Sequence, residues 1–449
     1  MSLEPSMGEV LHLHKQAQLQ PQSQSQSQSQ SQSQSQPQPQ PQPQPHLSLN
    51  TDPPFTPHPW QPPPNMIFDP VNDVSKLDRH RVLSKKAGVR VSPLCLGAMS
   101  IGDAWKDTPF MSGGMNKQQS FELLDAFYKL GGNFIDTANV YTDDQSEEFI
   151  GEWMEARNNR DEMVIATKAT SPYKARERGT HIATNFAGNS AKSIYVSVKD
   201  SLRKLRTDYL DILYIHWYDW STSIEEMMQA LNRLVVNGQV LYLGISDTPA
   251  WVVSAANTYA REHNMAQFVV YQGKWSVLVR DFEREILPMV RSQGMAIAPW
   301  GALGQGRFKT AEQIAQREKE QGPMRGGQEQ TQAEKDISLA LEKMGKEELG
   351  GLSIAGVALA YVFTKYPYTF PIVGGTKVSH LEDNIKAIGV ILTDEQIQRL
   401  ENTIPFDVGF PLNMIGPDPH ETGKTNFPFL AHAGNLDWVR NPKGPSVQQ

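Results

Sequence analysis

Between residues 90 and 390, short β-branched runs alternate eight times with stretches of helical period, and this alternation constrains the fold more than any other feature. "SPLCLGAM" precedes the helical "NKQQSFELLDAFYKLG", in which Phe121, Leu124, Phe127, Tyr128 and Leu130 make an apolar stripe. "NFIDTA", "EMVIATKA", "YLDILYIHW", "VLYLGIS", "QFVVYQ", "MAIAPW" and "TFPIVGG" then each lead to a stretch of helical period. One of these, "TPAWVVSAANTYAREHN", carries Pro249 where a first helical turn would accept it. Strict alternation argues for a parallel sheet covered by helices. Eight such units over about 300 residues match an α/β fold of the closed (β/α)8, or TIM-barrel, type. The competing doubly wound sheet usually carries a glycine fingerprint after its first strand, where this chain reads "LGAMSIGDAW".

Three segments depart from a plain barrel. Residues 76–90 predict a short hairpin before the first strand. The long charged segment 301–351, after strand seven, reads as a solvated insertion containing a helical piece. The Pro- and aromatic-rich stretch from about 403 is expected to fold back over the barrel mouth. Residues 1–75 include "SQSQSQSQ" and "PQPQPQPQ" repeats, which offer no apolar face to offset the entropy of ordering and read as a disordered tail. The barrel is thus expected over 76–435, with a flexible terminus at 436–449.

Composition narrows the functional classes. A net charge of −7 argues against nucleic acid as a partner. The single cysteine, Cys95, excludes an intrachain disulfide and a multi-cysteine zinc cage, and its setting in "SPLCLGA" makes it a core residue. No metal-ligand spacing is found; "HLH" at 12–14 falls in the tail. The start lacks a basic region followed by an apolar stretch, and the longest apolar run, "LSIAGVALAYVF", falls short of the ~20 residues that span a bilayer. A soluble, cytoplasmic protein acting on a small molecule is expected, of unknown oligomeric state.

In a barrel of this type, the site lies at the carboxyl ends of the strands. There Asp136 ends strand two, Tyr141 follows in its loop, Lys168 ends strand three and His216 ends strand four. Singly, each has a structural reading: a turn cap, a packed phenol, a salt-bridge partner, a core histidine. Together at neighbouring strand ends they point to proton donation onto a carbonyl oxygen. A tyrosine with a pKa near ~10 is a reluctant donor at neutral pH, and an adjacent ammonium stabilises its phenolate and lowers that pKa. Asp136 would hold Lys168 charged and aimed, and His216 would orient the carbonyl.

The segments "FIDTANVY", "VIATK", "ILYIHW", "GISDT" and "VVYQ" resemble those of the aldo-keto reductases. "RVSPLCLGAMSIGDAW" and "DSLRKLRTDYLDILYIHWYDWSTSIEE" are similar to the branch holding fungal aryl-alcohol dehydrogenases and norsolorinic acid reductases. The resemblance runs over about 80–410. It implies an oxidoreductase of secondary metabolism that uses NADPH to reduce aldehydes or ketones, reversibly, with Tyr141 as general acid. By the same resemblance Ser246, Asp247 and Gln272 would meet the cofactor's carboxamide, and Trp300 would stack on its nicotinamide. Gly301, Leu303, Gly304 and Gly306 would lie along the pyrophosphate. Gly375 and Thr376 open the helix after strand eight, a favourable anion site; Lys377 and His380 would reach the 2′-phosphate, and Asn384 the adenine. Members of this branch often carry Arg where Thr376 stands, which bears on how strongly NADPH is preferred. Trp105 and Trp217 are placed as walls of an aromatic substrate pocket, Trp275 as packing. The alternative is an NADPH-binding regulatory or redox-sensing subunit with vestigial catalysis, against which the intact set of four argues.

Overall fold

The computed structural model describes residues 73–108, 114–174, 179–180, 182–321, 329–425 and 427–444; the tail read at 1–75 lies almost wholly outside them. The hairpin expected before the first strand pairs β1 (Arg81–Ser84) with β2 (Ala87–Val91) in antiparallel register. Eight parallel strands follow: β3 (Cys95–Gly97), β4 (Phe134–Asp136), β5 (Val164–Ala169), β6 (Leu210–Ile215), β7 (Val240–Ser246), β8 (Phe268–Lys274), β9 (Ala296–Trp300) and β10 (Ile372–Val373). Their order in the sheet is β10-β3-β4-β5-β6-β7-β8-β9. The seam between β9 and β10 is closed by a bridge between Ile297 and Thr369, where Ile297 N donates to Tyr368 O and Phe370 N to Ile297 O, each at 2.9 Å. The expected (β/α)8 barrel is therefore the fold.

Around it lie α1 (Lys117–Lys129), α2 (Gln145–Arg157), α3 (Ala191–Lys204), α4 (Ile224–Val236), α5 (Ala250–Glu262), α6 (Ile286–Gln293), α7 (Ala311–Gln321), α8 (Gln332–Glu348), α9 (Ile354–Lys365), α10 (Val378–Ile385) and α11 (Asp394–Thr403). Most begin at a side-chain cap. Asn116, Thr331 and Thr393 complete capping boxes with Gln119, Glu334 and Gln396, each satisfying two backbone N–H groups that the helix cannot. Pro249 is the N-cap of α5, one position ahead of the first turn.

The period of two along each strand separates two cores. Phe134, Val164, Ala166, Ile212, Tyr214, Val270, Ala296 and Ala298 pack inside the barrel, joined at its amino end by Leu83, Ala87 and Val91 of the hairpin. The alternate residues Ile135, Ile165, Leu213, Ile215 and Leu243 pack outward against the helices. Continuing the inward column toward the carboxyl ends gives Asp136 after Phe134 and Lys168 after Ala166, with His216 after Tyr214. One alternation thus buries the core and aims the polar groups. A slip of one residue would reverse both.

The 301–351 segment is more than a solvated insertion. After a 3-10 turn at Gly304–Gly306 and α7, helix α8 buries Ile337, Leu341 and Met344, an i, i+4, i+7 stripe. Lys335, Lys343, Lys346 and Glu347 are exposed beside it. The C-terminal stretch makes its polar contacts with the helix layer. Arg284 Nη2 donates to Asp407 O at 2.6 Å, Arg291 pairs with Glu421, and Lys443 pairs with Asp394 at 2.9 Å. Among the described residues no helix is long and apolar enough to cross a membrane.

Inside the barrel Gly244 faces the ring of Tyr214, and a Cβ there would stand 2.5 Å from two ring carbons. Tyr214 is fully buried and has nowhere to retreat. Gly244→Ala is expected to destabilise the fold by about 1–3 kcal/mol, the usual cost of overpacking. Denaturant unfolding checks this; an unchanged midpoint would show that the barrel interior yields.

Candidate active site

Asp136 and Lys168 end the inward columns of neighbouring strands, yet they do not stand side by side. The register sets Asp136 beside Ala166 and Lys168 beside Tyr214, and the tilt of barrel strands brings the staggered ends toward one level. Lys168 Nζ reaches back to Asp136 Oδ2 at 2.7 Å and donates also to Thr137 O at 2.7 Å. Its third contact is the Tyr141 hydroxyl, 3.3 Å away. The lysine side chain is fully buried. His216, just past β6, packs its ring edge-to-face on Tyr141 with centroids 5.9 Å apart, and its Nδ1 shares a hydrogen bond with Ser171 Oγ at 3.2 Å. The structure thus brings all four residues together.

Electrostatics assigns a protonation state to Lys168, His216 and Tyr141. Burial alone would discharge Lys168, but Asp136 and Tyr141 outweigh it and raise the ammonium's pKa above its ordinary value. Burial lowers His216 to about 3, helped by the Lys168 charge, so its imidazole is neutral at physiological pH. Tyr141 departs from expectation. Burial raises its pKa; Lys168 pulls it down as anticipated, but Asp136 adds to the rise, and the net direction is upward. Tyr141 is therefore a protonated phenol with a cation in reach.

The residues placed at the cofactor by resemblance fall around the same rim. Ser246 ends β7, and Asp247 follows with φ 41°, its two oxygens accepting from Trp300 Nε1 at 3.2 Å and Ser246 Oγ at 3.3 Å. Gln272 belongs to the cluster of four, since its Nε2 donates to the second oxygen of Asp136 at 2.8 Å. Trp300 ends β9, with the Lys274 ammonium 5.8 Å above its ring. Gly301, Gly304 and Gly306 all have positive φ on either side of Leu303, and a Cβ at Gly306 would meet nothing within 4 Å. After β10, Gly374 is equally open beside Gly375 and Thr376, and Lys377 caps α10 without a side-chain bond to its first turn. Lys377 and His380 are exposed, whereas Asn384 is buried in α10. Open glycines, an uncapped helix start and exposed basic side chains fit a phosphate-bearing dinucleotide. Among the described residues no cluster of His, Cys, Asp or Glu could hold a metal ion.

Trp105 lies in the loop after β3 and Trp217 just past β6. Trp105 Nε1 donates to Asp143 Oδ1 at 2.8 Å, two residues past Tyr141, and Trp217 Nε1 donates to Ser171 Oγ, the hydroxyl that also meets His216. Trp275 is fully buried, stacked on Phe282. Two contributors escaped the sequence reading. Ser171 links His216 to Trp217. Lys204, at the end of α3, lies fully buried against the Tyr141 turn. Neither carries a local pattern, because their partners come from other elements.

Residues 93–404 match the model of the aldo/keto reductase family. An aldo-keto reductase of Aspergillus calidoustus is 51% identical over 380 residues, covering 84% of this chain and 95% of its own length. Norsolorinic acid reductase B of Dothistroma septosporum is 50% identical over 378 residues, 82% and 95% respectively. The aryl-alcohol dehydrogenase [NADP(+)] of Phanerodontia chrysosporium is 52% identical over 352 residues, 76% and 90%.

A neutral His216 has a pH signature. With its folded pKa near 3 and an unfolded value near ~6.5, the unfolded chain binds a proton that the folded one refuses. Its contribution to stability is whole above about pH 6.5 and is lost as pH falls toward the folded value. The His216 ring resonance is expected to stay flat between about pH 5 and about pH 8 by NMR. A midpoint near that of a free histidine would contradict the assignment.

Proposed function

The chain belongs to the aldo/keto reductase family, and on that premise we propose that it reduces aldehydes or ketones with NADPH, Tyr141 delivering the proton. The observation that carries the reading is the buried Lys168 ammonium, 2.7 Å from Asp136 and 3.3 Å from the Tyr141 hydroxyl. A site built only to bind would gain nothing from a phenol held against a buried cation.

When bound, the nicotinamide cofactor supplies the hydride that reaches the carbonyl carbon. This chain supplies the rest. Charge gathers on the carbonyl oxygen, and the Tyr141 O–H donates to it. An alkoxide is far more basic than a phenolate, so the transfer runs downhill even with the tyrosine's pKa raised. Lys168 stabilises the phenolate left behind, and Asp136 keeps Lys168 charged and aimed. Neutral His216 offers a hydrogen bond to the carbonyl without adding a second charge. Run backwards, the same groups take a proton from an alcohol, so oxidation of aryl alcohols is the reverse reaction at the same site.

Ser246, Asp247 and Gln272 would hold the carboxamide, with Trp300 against the nicotinamide ring. The loop of Gly301, Leu303, Gly304 and Gly306 would follow the pyrophosphate, and Gly375, Thr376, Lys377, His380 and Asn384 would surround the adenosine end. Trp105 and Trp217 supply flat apolar walls suited to aryl or polyketide-derived carbonyls. That class agrees with the names of the aryl-alcohol and norsolorinic acid relatives.

Two measurements test this. NADPH oxidation with an activated aromatic aldehyde should fall by about 10²–10⁴ in Tyr141→Phe, the usual worth of a general acid, with NADPH binding retained. If wild type and mutant are equally idle across a broad carbonyl panel yet both bind NADPH tightly, the regulatory-subunit reading takes its place. Lys377→Met should weaken NADPH binding by about tenfold and leave NADH nearly untouched, the loss of one charged contact to a phosphate. Equal losses for both cofactors would remove Lys377 from the 2′-phosphate.

A further inference from the structure

Tyr141 stands on a turn that its own backbone does not favour. Thr142, Asp143 and Asp144 follow it with φ of 46°, 50° and 79°, three consecutive non-glycine residues in the left-handed region. L-residues visit that region singly, and a run of them persists only where surrounding contacts over-determine it. On one side the anchor is Thr142 Oγ1, which donates to Ile101 O. On the other it is Lys204.

The Lys204 ammonium touches both flanks of this turn. It donates to Asn139 O at 3.2 Å, before Tyr141, and to Asp144 Oδ1 at 2.9 Å, after it. It also pairs with Glu147 at 2.8 Å and with Asp200 at 3.1 Å. Glu147 in turn accepts from Thr167 Oγ1 at 2.6 Å, and Thr167 precedes Lys168 on β5. One fully buried cation therefore joins the end of α3, both ends of the Tyr141 turn and, through Glu147, the strand that carries Lys168. Three carboxylates around one ammonium exceed what a buried charge needs for neutrality. Two of the three stand on the turn and at the start of α2, and the third on α3 itself.

We propose that Lys204 is a positioning residue for Tyr141, clamping both flanks of its turn so that the phenol stays within reach of Lys168 and of the reacting oxygen. The proposal rests on the role given to Tyr141 above. Lys204 touches no substrate. It acts by holding the proton donor in register, where a displacement of about 1 Å costs a large part of the rate.

The partners of Lys204 allow a controlled test. Asp144→Asn removes the charged arm that holds the turn and keeps a residue tolerant of positive φ. Asp200→Asn removes a pair of similar length that lies on α3 itself and never touches the turn. Turnover, carbonyl KM and NADPH dissociation constant are measured for both in the full chain, alongside Lys204→Met. Asp144→Asn is expected to lower kcat by about tenfold with NADPH affinity unchanged, while Asp200→Asn stays within about twofold of wild type. In a Tyr141→Phe background Asp144→Asn should cost nothing further, because its effect passes through the missing hydroxyl. Equal losses in the two carboxylate variants, or an undiminished loss in the Tyr141→Phe background, would overturn the clamp and leave Lys204 a stability element. Should Lys204→Met fail to fold, the two carboxylate variants still decide. If Tyr141→Phe itself turns over like wild type, the proton-donor reading falls first, and the clamp falls with it.

Discussion

The site depends on keeping one ammonium charged where water does not reach. Burying a cation costs several kcal/mol unless it is paired and hydrogen-bonded, and an isolated lysine at this depth would give up its proton. Lys168 keeps its proton because Asp136 Oδ2, Thr137 O and the Tyr141 hydroxyl lie within 3.3 Å of its Nζ. That arrangement needs barrel closure, since β4 and β5 supply the pair and β8 supplies Gln272 to fix the other oxygen of Asp136. It also needs the interior column to turn polar at the carboxyl end and nowhere lower. His216 is neutral partly because of the same charge. Without Asp136 the burial that keeps His216 neutral and Tyr141 protonated would remain, and Lys168 would lose the partner that holds its proton.

A second buried network shows what ion pairing does in this chain when no chemistry is asked of it. Glu283 meets Arg280 at 2.8 Å and Lys365 at 3.2 Å, and Glu401 meets the same two cations at 3.0 and 2.8 Å. Two anions and two cations close on themselves, and Tyr361 donates to both carboxylates. Burial opposes the charge on Glu283, but Lys365 and Arg280 hold its pKa down at about 2. This cluster ties the entry of α6 to α9 and α11. At the barrel mouth, by contrast, Asp136 is shared between a cation and an amide, and the cation leans on a neutral phenol that still carries its proton. The difference lies in what completes the shell.

The eight-unit alternation was legible because periods of 2 and 3.6 are the strongest signals a sequence carries. Asp136, Lys168 and His216 were legible because each closes an apolar run, and a strand of known direction tells which end that is. A helical piece was legible in the 301–351 segment, but the burial of α8 was not: its charges dominate the segment, and the Ile337, Leu341 and Met344 stripe is sparse among them. The C-terminal stretch was read by composition, which gives no direction, and its contacts with Arg284, Arg291 and Asp394 come from residues more than 45 positions away in some cases and more than 120 in others. Lys204 escaped because its significance resides in Asn139, Asp144 and Glu147, which the turn after β4 gathers only once the chain is folded.

At Tyr141 the residue types predict the downward pull of Lys168 but not the burial that outweighs it, because they count charges and not burial. A raised pKa suits the proton donor proposed above. A phenol whose pKa burial has raised stays protonated across the physiological range, so it is always loaded. The Lys168 ammonium matters little to the neutral hydroxyl and most to the phenolate, which exists only once the proton has left. In the proposed reaction its stabilisation would thus be spent on the charge that develops during transfer, in a setting already organised to receive it. A tyrosine with its pKa lowered in the resting state would lose part of its population to the phenolate and gain little in driving force toward an alkoxide. In the proposed reaction burial and cation would therefore do different work: burial keeps the acid loaded, and the cation favours its discharge.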